Sequence, residues 1–117
     1  TTEEGVGTVH VGFWLQYRGI RGEIFAFLDT IVPRLPAGGK VFIMGHSQGA
    51  AVAQLASLQL AARGYPVGGV YLYAAPAVAP ASSTFHSLYA ATGLLPVTFR
   101  IVNGYDTVAT IPGDLVR

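Results

Sequence analysis

The stretch Val-Phe-Ile-Met-Gly-His-Ser-Gln-Gly at residues 41–49 decides the fold of this chain. It joins an apolar, strand-like run to the pattern G-x-S-x-G, and residues 50–63 predict a helix directly after it. A serine between a strand and a helix is typical of a nucleophile elbow, whose tight turn lifts the hydroxyl above the sheet edge. We therefore predict that Ser47 is a nucleophile. We expect glycine to be required at Gly45 and Gly49, because the turn is too tight for side chains. A purely structural turn is the alternative interpretation.

The composition indicates one core-rich domain over residues 1–117. Hydrophobic residues make up 51% of the 117 residues and charged residues 11%, against about 25% charged residues in typical globular domains. Strands buried on both faces at the centre of an α/β fold give continuous apolar runs of this kind. The low charge also predicts apolar surface that other segments cover or that causes self-association. The chain begins Thr-Thr-Glu-Glu without an initiator methionine or signal peptide, so we expect a mature product or an internal piece.

Charge, cysteine content and hydropathy narrow the possible partners. The net charge is +1 and the sequence contains no basic cluster, which argues against a nucleic-acid partner. The absence of cysteine excludes disulfides and thiolate chemistry and leaves the compartment open. No apolar stretch reaches the roughly 18 residues of a membrane-spanning helix. We expect no metal and no cofactor.

Strand and helix patterns alternate along the chain, which predicts a mostly parallel sheet with right-handed crossovers. The helix after Gln48 is apolar nearly all round and rich in alanine, so we expect it to be buried against the sheet. We predict strands at residues 8–11, 40–44, 69–74 and 97–102, long helices at residues 13–31 and 48–63, and a short helix capped by Ser83.

A serine nucleophile needs a base that accepts its proton and an acid that orients the base. In folds with a nucleophile elbow these residues follow in the order Ser, Asp or Glu, His. Asp106 fits the second role, because it comes just after the strand predicted at residues 97–102 and should lie at the C-terminal sheet edge beside Ser47. On position alone, a solvated loop carboxylate fits Asp106 equally well.

The general base is missing from the sequence. No histidine follows Asp106, and the three histidines all precede it. His46 lies inside the turn and should point away from the site. We interpret His10 as a hydrogen-bonded structural residue on an early strand, and His86 as part of the polar face of the short helix. None of them satisfies the required order, so the catalytic histidine is unknown.

The oxyanion hole is incomplete in the same way. One donor is the backbone N–H of the residue after the nucleophile, which here is Gln48. The second donor normally comes from a loop after an earlier strand. Such a strand would precede Thr8, where the sequence leaves no room for it.

Three sequence blocks, in order, resemble those of one family. Residues 9–13, Val-His-Val-Gly-Phe, with a tyrosine at position 17, resemble a V-H-x-G-F segment. Residues 41–50 resemble a strand that ends in G-H-S-L-G-G. An R-x-V-N…D-x-V-x-x-x-P segment is matched by Arg100, Val102, Asn103, Asp106, Val108 and Pro112. Together the blocks resemble the middle of the class 3 (fungal-type triacylglycerol) lipases of the α/β-hydrolase fold.

The resemblance implies an α/β-hydrolase-type sheet, mostly parallel with helices on both faces, whose core is truncated at both ends of the chain. It implies hydrolysis of acylglycerol-type carboxylic esters through an acyl-serine intermediate, with Ser47 as nucleophile and Asp106 orienting a histidine. The family's catalytic histidine lies downstream of the Asp106 block, and its oxyanion strand and lid lie upstream of residues 9–13. Ester or lipid substrates, and transient contact with a lipid interface, are the implied partners.

The sequence also departs from the family. Gln48 and Ala50 replace the usual leucine and glycine, and Ala-Ala-Pro at residues 74–76 stands where the family has G-x-P-R-x-G, so contacts made by that arginine are lost. The Gly-His-Ser-Gln-Gly pattern is also similar to cutinases, although their disulfide cysteines are absent here.

Two other interpretations stay open. The chain could be a catalytically inactive, hydrolase-like binding or structural module without its general base. Alternatively, the chemistry is kept and the histidine comes from another chain or a further segment.

Overall fold

The computed structural model describes residues 2–3 and 5–102 of the 117-residue chain, with side chains from residue 5 onward. Asp106 and the rest of the third sequence block beyond Val102 lie outside the described residues. In chain order the elements are β1 (Thr2–Glu3), β2 (Gly7–Thr8), α1 (Val11–Ile31), a 3₁₀ turn (Val32–Arg34), β3 (Val41–His46), α2 (Gln48–Ala62), β4 (Val67–Tyr73), α3 (Phe85–Ala91), a second 3₁₀ turn (Leu95–Val97) and β5 (Thr98–Ile101).

Three of these strands form a parallel sheet in the order β3-β4-β5. The register pairs His46 with Tyr73 and Tyr73 with Ile101, so the C-terminal ends of all three strands lie at one sheet edge. Parallel neighbours need crossover connections, which contain α2 and α3 here. The predicted α/β fold with a mostly parallel sheet is confirmed.

The prediction of a strand at residues 8–11 is wrong, both in the residues that it includes and in the strand that pairs with it. β2 ends at Thr8, pairs antiparallel with β1 and stays outside the parallel sheet. Helix α1 begins at Val11, because the His10 side chain caps it: Nδ1 accepts a hydrogen bond from the Gly12 N–H at 3.1 Å. A side-chain acceptor at this position satisfies an N–H group that has no partner inside the helix.

Helix α2 forms the centre of the core, as its alanine-rich sequence predicts. It packs against β3 and β4 on one side and against α1 on the other. Among the described residues, no helix is both long and apolar enough to cross a bilayer. The buried residues of α2 are Ala50, Ala51, Ala53, Leu55, Ala56, Ser57, Leu58, Gln59 and Leu60.

The opposite face of the parallel sheet is apolar and exposed in the described part of the chain. Strand residues that share a register position share a face, which places Met44, Tyr71 and Phe99 side by side. Met44 is 65% exposed and Phe99 47%, and Phe42, Tyr73 and Ile101 on the same face are exposed as well. Apolar surface of this kind was predicted from the low charge. Self-association through it stays a prediction.

The Tyr17 hydroxyl links α1 to α2 by donating a 2.6 Å hydrogen bond to Gln59 Oε1 inside the core. Burial raises the pKa of Tyr17 from 10.0 to about 12. Because the folded-state pKa lies above the unfolded value, the stability linked to the protonated hydroxyl is complete below pH 10 and is lost as the pH rises toward about 12.

We therefore expect Tyr17→Phe to lower the free energy of unfolding at neutral pH by about 1 kcal/mol, the typical value of one internal hydrogen bond. Between pH 10 and about 12 the variant should lose less stability than the unsubstituted chain. Urea unfolding followed by circular dichroism measures both effects. Tyr73→Phe, at a 41% exposed position, is the matched control. Equal losses of stability in all three proteins would contradict the assignment of the pKa shift to Tyr17.

Candidate active site

Ser47 occupies a strained turn between β3 and α2. Its backbone angles are φ 55° and ψ −121°, in a region that residues other than glycine rarely adopt and that costs about 1–3 kcal/mol. The Ser47 N–H donates a 2.8 Å hydrogen bond to the Tyr73 carbonyl, which ties the turn to β4. The predicted strained turn between a parallel strand and a buried helix is confirmed.

Close backbone packing explains one of the two elbow glycines. A Cβ added to Gly45 would lie 2.5 Å from the Gly49 carbonyl oxygen and 2.7 Å from its carbon. At Gly49 an added Cβ would meet no described atom within 4 Å beyond its chain neighbours and the backbone of its own helix. The expected steric requirement is therefore present at Gly45, but at Gly49 the expectation is wrong within the described residues, because that position opens away from the strand.

These two glycines make a matched pair for a stability test. Gly45→Ala should lower the free energy of unfolding by about 2–3 kcal/mol, because the new methyl group meets backbone atoms that cannot rotate away. Gly49→Ala should be neutral or stabilise the chain by up to about 1 kcal/mol, since alanine has the higher helix propensity. Urea unfolding midpoints compare the two variants. Equal losses of stability would contradict this packing of strand against helix.

The turn leaves two groups available at the start of α2. Serine is a favoured N-cap residue, yet the Ser47 side chain makes no capping hydrogen bond with α2. The backbone N–H of Gln48, in the first turn of the helix, has no acceptor within residues 5–102. N–H groups at a helix N-terminus favour negative charge. A hydroxyl and an anion-stabilising donor thus stand next to each other at the C-terminal end of β3.

A second strained residue lies at the same sheet edge. Ala74 follows β4 with φ 52°, and its N–H donates to the Ile101 carbonyl at 2.9 Å. Arg100 Nη2 donates to the Ala75 carbonyl at 2.7 Å, which ties this turn to β5. Sequence reasoning did not single out Ala74. The sequence did carry one signal of a positive φ here: the family's G-x-P-R-x-G segment has glycine at the position of Ala74, and positive φ favours glycine.

The three histidines have separate positions. His46 ends β3 and is exposed on the sheet face of Met44, opposite the face that packs against α2, so it points away as expected. His10 caps α1, which confirms its structural hydrogen bond, although it does not lie on a strand. His86 is exposed on α3, and its Nε2–H donates to the Pro80 carbonyl at 3.1 Å. Within the described residues, none of the three forms a hydrogen bond with Ser47.

The strand that leads to Asp106 ends at the edge where Ser47 lies. β5 ends at Ile101, which pairs with Tyr73, the partner of His46. The position of Asp106 beside Ser47 stays a prediction, since this residue lies outside the described part of the chain. Residues 5–102 contain no group of three His, Cys, Asp or Glu side chains arranged to hold a metal ion.

Curated relatives share part of this sequence. The chain is 39% identical over 72 residues to secreted mono- and diacylglycerol lipase A of Penicillium cyclopium, and the match covers 62% of this chain and 23% of that protein. Penicillium camembertii has a relative of the same name with the same identity and coverage. The chain therefore spans about a quarter of the length of these curated relatives.

Solved lipase structures have the same fold as the described chain. Lipase II from Rhizopus niveus superimposes with a TM-score of 0.83 at 25% identity, over 96% of this chain and 43% of that one. Mono- and diacylglycerol lipase from Aspergillus oryzae gives a TM-score of 0.76 at 31% identity, over 89% of this chain and 36% of that one. The expected α/β-hydrolase fold, in truncated form, is confirmed. The family model described as Lipase (class 3) matches residues 1–116, and the chain belongs to that family.

Proposed function

We propose that this chain supplies the nucleophile segment of an enzyme that hydrolyses acylglycerol-type carboxylic esters. The observation that carries the proposal is the conformation of Ser47, whose positive φ places it on a tight turn between a parallel strand and a buried helix. Backbone strain of this size persists only where surrounding structure holds it, and such residues cluster at active sites. Gly45 supports the same conclusion, because its missing Cβ lets the first turn of α2 pack directly on β3.

The proposed reaction assigns one step to each group. Ser47 Oγ attacks the ester carbonyl carbon while a histidine takes the hydroxyl proton, and the Asp106 carboxylate orients that histidine. The Gln48 N–H and a second donor stabilise the oxyanion that forms. As this tetrahedral intermediate collapses, the bond between the carbonyl carbon and the alcohol oxygen breaks, the histidine gives its proton to that oxygen, and the acyl-serine is left. Water, deprotonated by the same histidine, then attacks the acyl carbon; the bond to Ser47 Oγ breaks, the histidine returns the proton to Oγ, and the carboxylic acid is released.

The substrate class comes from the relatives. Proteins named as mono- and diacylglycerol lipases match this chain in sequence and in structure. We extend that class to this chain as part of the proposal, with acylglycerols as substrates and transient contact with the lipid interface that presents them.

The second candidate is an inactive, hydrolase-like binding or structural module. It is favoured by one observation: no histidine follows Asp106 up to Arg117. A third possibility keeps the chemistry and takes the histidine from another chain or a further segment. The module lacks a histidine at Ser47 in the assembled protein, whereas the other two candidates have one and differ only in where it comes from.

The experiment uses the longest natural polypeptide that contains residues 1–117, called the extended protein below. Titration of the fatty acid released from emulsified diacylglycerol measures its activity. We expect steady release of fatty acid. A folded extended protein that releases none, yet binds the emulsion, would favour the module and contradict the proposed enzyme.

A further inference from the structure

A cavity of about 350 Å³ lies between α1 and the C-terminal end of α2. Its lining includes Trp14, Arg18 and Arg21 from α1, and Gln59 and Arg63 from α2 and its C-cap. Gln59 follows Ser47 by 12 positions, which at 1.5 Å per residue is about 18 Å along the helix axis. The cavity is therefore separate from the candidate active site.

The lining concentrates positive charge. Three of its residues are arginines, which stay protonated in proteins, and within residues 5–102 no carboxylate forms an ion pair with any of them. The Arg21 guanidinium lies 5.7 Å from the centre of the Trp14 ring, and the Arg63 guanidinium lies 4.4 Å from the centre of the Phe25 ring. Such cation–π contacts hold the two cations in place. The negative C-terminal end of α2 explains one arginine, Arg63, which is its C-cap residue. It does not explain the two arginines of α1 that also line the cavity.

Gln59 adds a donor to this lining. The residue is 7% exposed, and its Oε1 accepts hydrogen bonds from the Tyr17 hydroxyl at 2.6 Å and from Arg21 Nη1 at 3.4 Å. Because arginine can only donate, the contact with Arg21 fixes which end of the amide is the oxygen. The amide nitrogen, Nε2, is left as a donor without an acceptor in the described part of the chain. Apart from the contact between Arg21 and Gln59 Oε1, the side-chain N–H groups of Arg18, Arg63 and Gln59 have no acceptor in the described part of the chain.

We propose that this cavity binds a phosphate group, either of a soluble phosphate monoester or of a lipid headgroup. A phosphate offers only acceptor oxygens in a tetrahedral arrangement, which suits donors that approach from several sides. Arg18, Arg21 and Arg63 surround the oxygens, and Gln59 Nε2 donates to one of them. The volume of about 350 Å³ lies within the usual range of ligand pockets and leaves room for the group esterified to the phosphate.

The chain contains its own reporter for this site, because Trp14 is its only tryptophan and lines the cavity. Inorganic phosphate titrated into the folded 117-residue chain should change the Trp14 fluorescence in a saturable way, whereas chloride at equal ionic strength should not. The double variant Arg18→Gln/Arg63→Gln should bind phosphate at least about tenfold more weakly, because it loses two charge-assisted contacts. Arg34→Gln removes the same charge at an exposed position outside the cavity and should bind as the unsubstituted chain does.

Two further binding experiments distinguish a soluble phosphate ester from a lipid headgroup. Binding of glycerol phosphate supports a soluble ester. Binding only to phosphatidylcholine vesicles that contain phosphatidate, if lost in the double variant, supports a lipid headgroup. A fluorescence change that is not saturable, or that is equal in the double variant, would overturn the proposal.

Discussion

Replacing Ser47 with alanine in the extended protein should reduce the turnover number for a p-nitrophenyl ester by about 10⁶-fold, the loss measured when a serine nucleophile is removed from a comparable triad. The hydroxyl oxygen forms the bond to the substrate carbonyl, so no acyl intermediate forms without it. The Michaelis constant should change little, because alanine removes one atom and leaves the turn between β3 and α2 in place. The measurement is the initial rate at saturating substrate.

A matched serine variant separates chemistry from folding. Ser87 is exposed on α3, and its hydroxyl donates a local hydrogen bond to the Thr84 carbonyl. Ser87→Ala should therefore keep the activity of the unsubstituted extended protein, and circular dichroism should show the same helix content in both variants. If Ser47→Ala retained a tenth or more of the turnover, Ser47 would not be the nucleophile.

The second large effect concerns the 117-residue chain by itself, which should hydrolyse p-nitrophenyl esters close to the background rate. Without a general base the Ser47 hydroxyl stays protonated at neutral pH and attacks poorly. Loss of the histidine costs about 10⁶ in turnover in a well-studied serine protease, and one oxyanion donor is typically worth about 10²–10³. Parallel assays of the 117-residue chain, its Ser47→Ala variant and the extended protein measure this difference.

Strong turnover by the 117-residue chain that depends on Ser47 would contradict this prediction. The general base would then be His10, His86 or a histidine of a second copy of the chain. The Nδ1 atom of His10 accepts the capping bond of α1, and the Nε2–H of His86 donates to a carbonyl. Use of either residue as the base would therefore require a change in a hydrogen bond or in side-chain orientation.

The central part of the fold could be predicted from the sequence because its strands and α2 follow simple hydrophobic patterns. Residues 41–44 are continuously apolar, and the alanine-rich helix can only be buried. The start of α1 could not be predicted, since a short apolar run fits a strand or a buried helix equally well. The residue that decides it is His10, which is not among the preferred N-cap types. Its Nδ1 nevertheless accepts the bond from Gly12 that starts the helix at Val11.

The sequence predicts those site residues whose type is fixed by the local backbone conformation. It does not predict groups of side chains that come together only when distant parts of the chain pack. Ser47 and Gly45 follow from the pattern, because a turn this tight restricts both positions. The positive φ at Ala74 had one signal in the sequence, the glycine that the family has at this place, and the alanine found here conceals it. The arginine-lined cavity was missed because Arg63 lies far along the chain from Arg18 and Arg21, and only the packing of α1 on α2 brings them together.

The most direct test of the central claim, that Ser47 is the nucleophile of this class 3 lipase core, is covalent labelling followed by peptide mass spectrometry. Diethyl p-nitrophenyl phosphate reacts with an activated serine and leaves a diethylphosphoryl group on its oxygen. We predict that the extended protein carries this group on Ser47, loses its esterase activity in proportion to labelling, and takes up no label in the Ser47→Ala variant. An extended protein that hydrolyses esters while the label lies on another residue, or is absent from Ser47, would contradict the claim.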